Sequence, residues 1–335
     1  MKSVGIIVVF YNLSDYVTSC LTAIAEQSHA DFTCYCIDDC STDDTFAKLT
    51  AFSEKDPRFV AIQNERNYGS PCHSRNVGLE KVQQCDYFMI LDGDDLLHPE
   101  ALKASLSVIE SSDTLDCVAF DKVLFSDENH IQPVAIPSPL PVTVYHDGFV
   151  RFLDKDAHSP QANVWNKFYR TERYRHERFC EEIFYEDDVL YTLQILANTR
   201  DYAFIDLPLY FYRRHPSSVT SSLKHQRYLN DATRRLQYTY DYFFKAPRIS
   251  QAMAARLKQQ MAEDAYRMLV SKIIRKTKEP ELKAMLFPIA QANFAHLITE
   301  QMIDLQDLPF IKRIVAKLFL NNHIKSAWLL AKIFG

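Results

Sequence analysis

The chain opens on an unbroken apolar run rich in β-branched residues, Val4-Gly5-Ile6-Ile7-Val8-Val9-Phe10, and Tyr11-Asn12 ends it. That pattern predicts a strand buried on both faces. Ser14 or Asp15 is placed to cap a helix running towards Gln27, in which Val17, Leu21, Ile24 and Ala25 recur on one face. A second strand is predicted over Phe32 to Ile37, closed by Asp38-Asp39, and the polar cluster Ser41-Thr42-Asp43-Asp44 opens the next helix. Phe59 to Gln63 reads as a third strand. The turn around Asn67-Tyr68-Gly69-Ser70 leads to a helix over Arg75 to Gln83, and Tyr87 to Leu91 is a fourth strand. Strands alternating with helices predict an α/β fold: a mainly parallel, Rossmann-like sheet flanked by helices, with ligands beyond the carboxyl ends of its strands.

Further along, the texture changes. Pro133, Pro137, Pro139 and Pro141 fall within nine residues, too dense for helix or central strand, and predict an extended surface connection inside the first domain. Beyond about residue 222, Leu229, Ala232, Leu236, Tyr240 and Phe243 recur at helical spacing, as do Met253, Leu257, Met261, Ala265 and Met268. The expected organisation is a first domain over 1–222 and a helical domain over 223–335, which suits 335 residues at roughly 150 per domain. There is no internal repeat and no apolar stretch of ~20 residues that could span a bilayer. After Asp307 no acidic residue occurs, while Lys312, Arg313, Lys317, Lys325 and Lys332 interleave with apolar residues such as Trp328 and Leu329. This basic amphipathic tail, 311–335, has two readings: packing on the helical domain, or peripheral contact with an anionic membrane.

Composition then removes several functions. Hydrophobic residues at 47% and charged residues at 24% describe an ordinary folded chain, and a net charge of -5 argues against a surface devoted to nucleic acid. The 6 glycines are too scattered to build a dinucleotide-binding GxGxxG or a P-loop. The 8 cysteines, with no signal peptide ahead of the first strand, read as reduced thiols of a cytoplasmic protein. Cys34, Cys36 and Cys40 have a spacing that suits zinc, but strand alternation puts Cys34 and Cys36 on one face and no second Cys/His pair follows. Core filling is the expectation.

The sharpest chemical signal is Asp92-Gly93-Asp94-Asp95, carboxylates crowded at the end of an apolar strand. They repel one another unless a positive charge sits among them, and Mg²⁺ or Mn²⁺ completed by phosphate oxygens would supply it. A polar turn ahead of the helix after His98-Pro99-Glu100 is the plainer reading of the same residues.

Context decides between them. The strand ending in Tyr11-Asn12, Ile37-Asp38-Asp39-Cys40-Ser41-Thr42-Asp43-Asp44-Thr45, Asn67 through Asn76, and Leu91-Asp92-Gly93-Asp94-Asp95 stand in the order and spacing of the family 2 glycosyltransferases. The chain resembles them over roughly its first 220 residues. Trp165-Asn166-Lys167, Tyr185-Glu186-Asp187-Asp188 and Tyr212-Arg213-Arg214-His215-Pro216-Ser217-Ser218-Val219-Thr220 are similar to acceptor-side elements of bacterial members. The resemblance implies an A-type glycosyltransferase fold followed by the α-helical domain, a UDP-sugar donor, a divalent metal at a DXD motif, and inverting transfer of a hexose or N-acetylhexosamine. The implied acceptor is a glycan or lipid-linked oligosaccharide in the synthesis of lipopolysaccharide, capsule or another surface glycan. A homo-oligomer is compatible with the sequence.

Residue roles follow from the resemblance. Asp39 would accept the imide N–H of uracil, with the base between Asp39, the Phe10-Tyr11 turn and Arg75; helix capping is the plainer role for Asp38 and Asp39. Asp92, Gly93 and Asp94 would face the diphosphate, with Asp92, Asp94 and His215 as metal ligands. Arg213, His215 and Ser218 would stabilise the leaving nucleoside diphosphate, and Lys167 would meet diphosphate or water. Trp165 would pack, or stack on a sugar face. Asp187 would be the general base and Glu186 would orient the acceptor, although acidic residues also suit the first turn of the helix that follows, and Asp188 leaves the register open by one. Two other classes compete. A nucleotidyltransferase is disfavoured because residues 8 to 16 hold no glycine, lysine or arginine; a non-catalytic nucleotide-sugar sensor would keep binding and lose chemistry.

Overall fold

The apolar run at the start of the chain is β1, Val4–Phe10, and all its residues are buried. Its alternate side chains serve two cores: Val4, Ile6, Val8 and Phe10 join one cluster, Ile7 and Val9 the other. The elements that cover it follow in order in this computed structural model: α1 (Val17–Ala25), β2 (Phe32–Asp38), α2 (Thr45–Ser53), β3 (Phe59–Gln63), α3 (Pro71–Lys81), β4 (Tyr87–Asp92), β5 (Leu96–Leu97), α4 (Ala101–Ile109) and β6 (Leu115–Phe125). Then come β7 (Val142–Tyr145), α5 (Gly148–Asp154), β8 (Lys167–Arg170), α6 (Thr171–Tyr174), α7 (Asp187–Asn198) and β9 (Asp201–Arg213). The structure describes residues 2–154, 161–215, 226–246, 248–277 and 279–334.

Among the described residues nine strands form one sheet, in the order β3-β2-β1-β4-β8-β6-β9-β5, with β7 also on β9. The first four are parallel, as alternation with helices requires, whereas β8 runs antiparallel to both β4 and β6. The expected mainly parallel sheet is therefore mixed. Because the chain steps from β1 outward to β3 and then returns to place β4 on the other side of β1, the sheet has a switch point there, where a crevice opens beyond the strand ends. One face is covered by α1 and α4 through Cys20, Leu21, Ile24, Leu102 and Val108, the other by α3 and the later turns of α7 through Leu79, Tyr191 and Ile195. Cys34 and Cys36 are buried free thiols with their sulfurs 3.7 Å apart, filling core as strand alternation requires.

Two helix starts differ from expectation for identifiable reasons. Neither Ser14 nor Asp15 caps α1, which has no side-chain cap. The Ser14 amide instead donates to Asp43 at 3.1 Å, and the Asn12 side chain accepts the Thr42 amide at 2.8 Å, so the β1–α1 and β2–α2 loops are latched together. Helix α3 begins at Pro71, four residues before the expected Arg75, because Ser70 caps it and proline suits its first turn.

The chain divides into two units, Met1–Glu181 with Tyr191–Ser218, and Glu182–Leu190 with Val219–Gly335. The boundary expected at 222 lies outside the described residues. The second unit holds α8 (Gln226–Phe244), α9 (Gln251–Ala265), a π-helical stretch Tyr266–Lys276, α10 (Pro280–Thr299), α11 (Phe310–Leu320) and α12 (Ile324–Phe334). In the basic tail, Val315, Ala316, Phe319, Ala327 and Ala331 are buried, while Trp328, Leu329 and Ile333 remain exposed, as does Phe310 just ahead of it. The packing reading accounts for the buried face of the tail. Among the described residues no helix is long and apolar enough to cross a membrane.

The latch makes a pH-dependent contribution. Burial works to raise the Asp43 carboxyl, but hydrogen bonds from Thr45 and Ser14 outweigh it and hold the group below its ordinary value. Its stabilising effect is therefore complete above the ordinary carboxylate pKa of about 4 and vanishes as pH falls through the lower folded value. Heat unfolding of Asp43→Ala should show a deficit at pH 7 that closes under acid conditions; equal midpoints at pH 7 would mean that the latch does not stabilise the fold.

Candidate active site

The carboxyl ends of β1, β2 and β4 lie side by side, with Phe10 opposite Asp38 and Val9 opposite Asp92. Of the aspartate pair after β2, Asp38 is structural: its carboxylate accepts the Ser41 amide at 3.0 Å, the Ser41 hydroxyl, and the Gln63 side chain at 3.0 Å. Asp39 is buried and differently placed. Its Oδ1 accepts from Asn64 at 2.7 Å and from Ser74 at 3.3 Å, while the Tyr68 amide lies 3.2 Å from Oδ2. Burial raises its carboxyl above the ordinary value despite the donors from Asn64, Tyr68 and Ser74. Tyr11 is 46% exposed at the adjoining strand end. Phe10 is fully buried, which replaces its expected contact with the base by a packing role.

Arg75, carried into the crevice by α3, is also buried rather than solvated, and donates from Nη2 to Asp92 Oδ1 at 3.1 Å. Gly93 has no room for a side chain: a Cβ there would stand 2.7 Å from the Val9 carbonyl oxygen and closer still to the Phe10 ring. Asp94 Oδ2 lies 2.8 Å from His215 Nε2. Asp95, 1% exposed, accepts the Tyr210 hydroxyl and the Arg213 amide, both at 2.7 Å. Burial first, then the neighbouring Asp94 and Asp92, push its carboxyl well above the usual range.

Three expectations for this cluster are corrected. Asp92, Asp94 and His215 do not converge as a ligand set, since Asp92 faces Arg75, and among the described residues no group of three or more His, Cys, Asp or Glu is arranged for a metal. The Asp94–His215 pair by itself fits one edge of an octahedral site, whose ligand atoms stand ~3 Å apart when metal bonds are about 2.1 Å. Lys167 meets neither diphosphate nor water: it is buried and its ammonium donates to the carbonyls of Gln161 and Asn163 and to the Asn166 side chain. Arg213 is spent on the protein, donating to the Asp94 carbonyl and, at 2.6 Å, to Glu128, with its guanidinium between the rings of Tyr16 and Phe125. Trp165 packs, with its ring centroid 4.4 Å from that of Tyr210. Ser218 lies outside the described residues.

Residues 5–135 match the family model described as Glycosyl transferase family 2. These residues are a family 2 glycosyltransferase domain. Among curated relatives, the poly(ribitol-phosphate) beta-N-acetylglucosaminyltransferase TarS of Staphylococcus aureus strain Mu50 is 26% identical over 226 residues, 63% of this chain and 35% of that protein. The teichoic acid poly(glycerol phosphate) polymerase of Staphylococcus epidermidis is 35% identical over 116 residues, 34% of this chain and 16% of the polymerase. The chain thus spans about a third or less of either relative. The solved structure of S. aureus TarS 1-349 in complex with UDP-GlcNAc superimposes with a TM-score of 0.74 at 19% identity, covering 99% of this chain and 91% of that one. The glycosyltransferase domain accordingly has the A-type fold, followed by a helical C-terminal region.

The acidic step Glu186-Asp187 belongs to the second unit. Asp187 and Asp188 stand in the first turn of α7, and Asp187 is 8% exposed. Glu186 has φ 65°, a left-handed conformation that a non-glycine residue seldom adopts. Its carboxylate is held by the Tyr228 hydroxyl at 3.1 Å and lies 3.3 Å from Arg235 Nε. The sequence reading gave no role to Tyr228, Arg235, Asn64 or Ser74. For Tyr228 and Arg235 a signal existed: both are polar-ended residues beside the apolar stripe of α8.

Gly93 yields a direct test of the crevice. Gly93→Ala should overpack the Phe10 contact, at a cost of about 1–3 kcal/mol read by denaturant unfolding. A variant as stable as wild type would show that β1 and the acidic turn can separate freely.

Proposed function

We propose that this chain is an inverting glycosyltransferase that moves a hexose or N-acetylhexosamine from a UDP-sugar to a hydroxyl of a surface glycan, with Mg²⁺ or Mn²⁺. The observation that carries the reading is the convergence of Asp39, Arg75 and the Asp92–Asp95 turn at the switch point of a family 2 domain. Asp39 Oδ2 accepts the Tyr68 amide, and a carboxylate oxygen can accept a second donor; uracil presents an N–H, whereas cytosine presents an acceptor. TarS, solved with UDP-GlcNAc, makes that sugar nucleotide the first donor to try, and the relatives' polymers make a polyol-phosphate surface glycan the first acceptor.

In the proposed reaction the acceptor O–H proton passes to the Asp187 carboxylate as the oxygen bonds to the anomeric carbon. The bond from that carbon to the β-phosphate oxygen breaks, and UDP leaves with the electron pair from the opposite face, inverting the centre. Asp94 and His215 would hold the cation, which supplies positive charge against the departing diphosphate. Arg75 orients Asp92 towards the same crevice, and Asp95 fixes the turn.

Release of UDP from a panel of UDP-sugars, with Mn²⁺ or with chelator, tests donor and metal together. Asp94→Asn should lose at least ~100-fold in kcat while remaining folded, and Asp187→Asn about as much with donor KM near wild type. Undiminished turnover in excess chelator would remove the metal. Tight UDP-sugar binding with no release of UDP across acceptors would instead indicate a sensor. Peripheral membrane contact through the exposed face of α12 belongs to the same proposal: Trp328→Glu should abolish co-sedimentation with anionic liposomes, and absence of co-sedimentation in wild type would refute the contact.

A further inference from the structure

Within the second unit, the strip before α7 is held by one face of α8. Tyr228, Asp231 and Arg235 stand at i, i+3 and i+7 of that helix, so they project to the same side, and all three are buried. The Asp231 carboxylate accepts two successive amides, Phe184 at 3.1 Å and Tyr185 at 3.2 Å. Tyr228 donates to Glu186 Oε1. Arg235, 1% exposed, lies between two carboxylates: its Nε is 3.3 Å from Glu186 Oε2, and its Nη2 donates to Asp264 Oδ2 at 2.9 Å. Arg267 closes the set, 3.2 Å from Asp264 Oδ1 and 3.8 Å from Glu186 Oε2. Three consecutive residues, 184 to 186, are therefore fixed by named partners before the chain reaches Asp187.

We propose that Arg235 is a positioning residue for the general base. It holds Glu186 in its left-handed conformation and so fixes the peptide that presents Asp187 at the start of α7. The inference rests on the assignment of Asp187 as base. A carboxylate that must take a proton from one hydroxyl works only within a narrow geometry, and small displacements of such groups cost orders of magnitude in rate. A guanidinium suits the task because its planar fork can face two carboxylates at once, which an ammonium on a flexible stem does not reproduce. The charge balance agrees: a buried Arg235 alone would be costly, and Glu186 and Asp264 both compensate it.

The test separates positioning from simple stabilisation by reading kinetics and backbone protection together, with UDP-GlcNAc as donor and poly(ribitol phosphate) as acceptor. Arg235→Lys keeps the charge and loses the fork. It should lower kcat about tenfold, leave donor KM within about twofold, and raise hydrogen exchange at residues 184–187 without changing exchange in β1 to β4. Because Arg235→Met strands the buried Asp264 and the partly buried Glu186, it is paired with Glu186→Gln/Arg235→Met, and the double variant should lose no more in kcat than Arg235→Met alone, as expected for residues acting through one another. A dead Asp187→Asn beside an Arg235→Lys of wild-type kcat and unchanged exchange overturns the inference alone. Full transfer by Asp187→Asn overturns the base assignment and the inference with it. Should wild type not use this donor and acceptor, unchanged exchange at 184–187 in Arg235→Lys still overturns the inference.

Discussion

A carboxylate with almost no exposed surface, Asp95, joins the end of β4 to the far end of β9 through the Arg213 amide and the Tyr210 hydroxyl. Burial alone would make that group expensive; two short hydrogen bonds satisfy it, one on each oxygen. The rest of the crevice depends on this strut. It places the turn at residues 92–95 over the strand ends, brings His215 from beyond β9 to Asp94, and leaves Asp92 facing Arg75 on α3. Gly93 lets the turn lie against the Phe10 ring, so strut and close approach act together.

The same turn shows how three carboxylates coexist without uniform repulsion. Each has a partner of different chemistry: a guanidinium for Asp92, an imidazole for Asp94, a hydroxyl and an amide for Asp95. Of the three carboxylates, Asp94 is the one paired with a side chain that is itself a common metal ligand, His215. Arg213, expected with His215 and Ser218 to stabilise the leaving diphosphate, is committed elsewhere, its guanidinium over the rings of Tyr16 and Phe125 and tied to Glu128. Its contribution to the site is mechanical, because its backbone amide and side chain secure the turn from behind.

Much of this arrangement was legible in the sequence because it is local. Alternation of β1 and the polar turns after β2 and β4 are encoded within a few residues of where they act. What escaped depended on partners that residue type does not disclose, many of them distant in sequence. Lys167 is consumed by carbonyls four and six residues before it, and Arg213 by partners 85 and 119 residues away, neither of which residue type discloses. The mixed direction of the sheet escaped for a similar reason: β8 is four residues long and inserts between β4 and β6 after a gap of more than forty residues from β6. In the helical unit, a polar face hidden beside an apolar stripe gave Tyr228, Asp231 and Arg235 no visible partner until the 184–186 segment was seen to meet them.

The paired loops after β1 and β2 bear on recognition itself. Asn12 and Asp43 lock the two turns to each other through backbone amides, so both walls beside Asp39 are ordered before any nucleotide arrives. The conformational entropy of those residues is lost during folding, at roughly 1–2 kcal/mol for each backbone fixed, and need not be lost again on binding. On the proposed reading of Asp39, a base with a mismatched edge would meet a rigid acceptor that cannot turn to accommodate it, and discrimination among nucleotides would be expressed as a missing hydrogen bond rather than as a loop that fails to close.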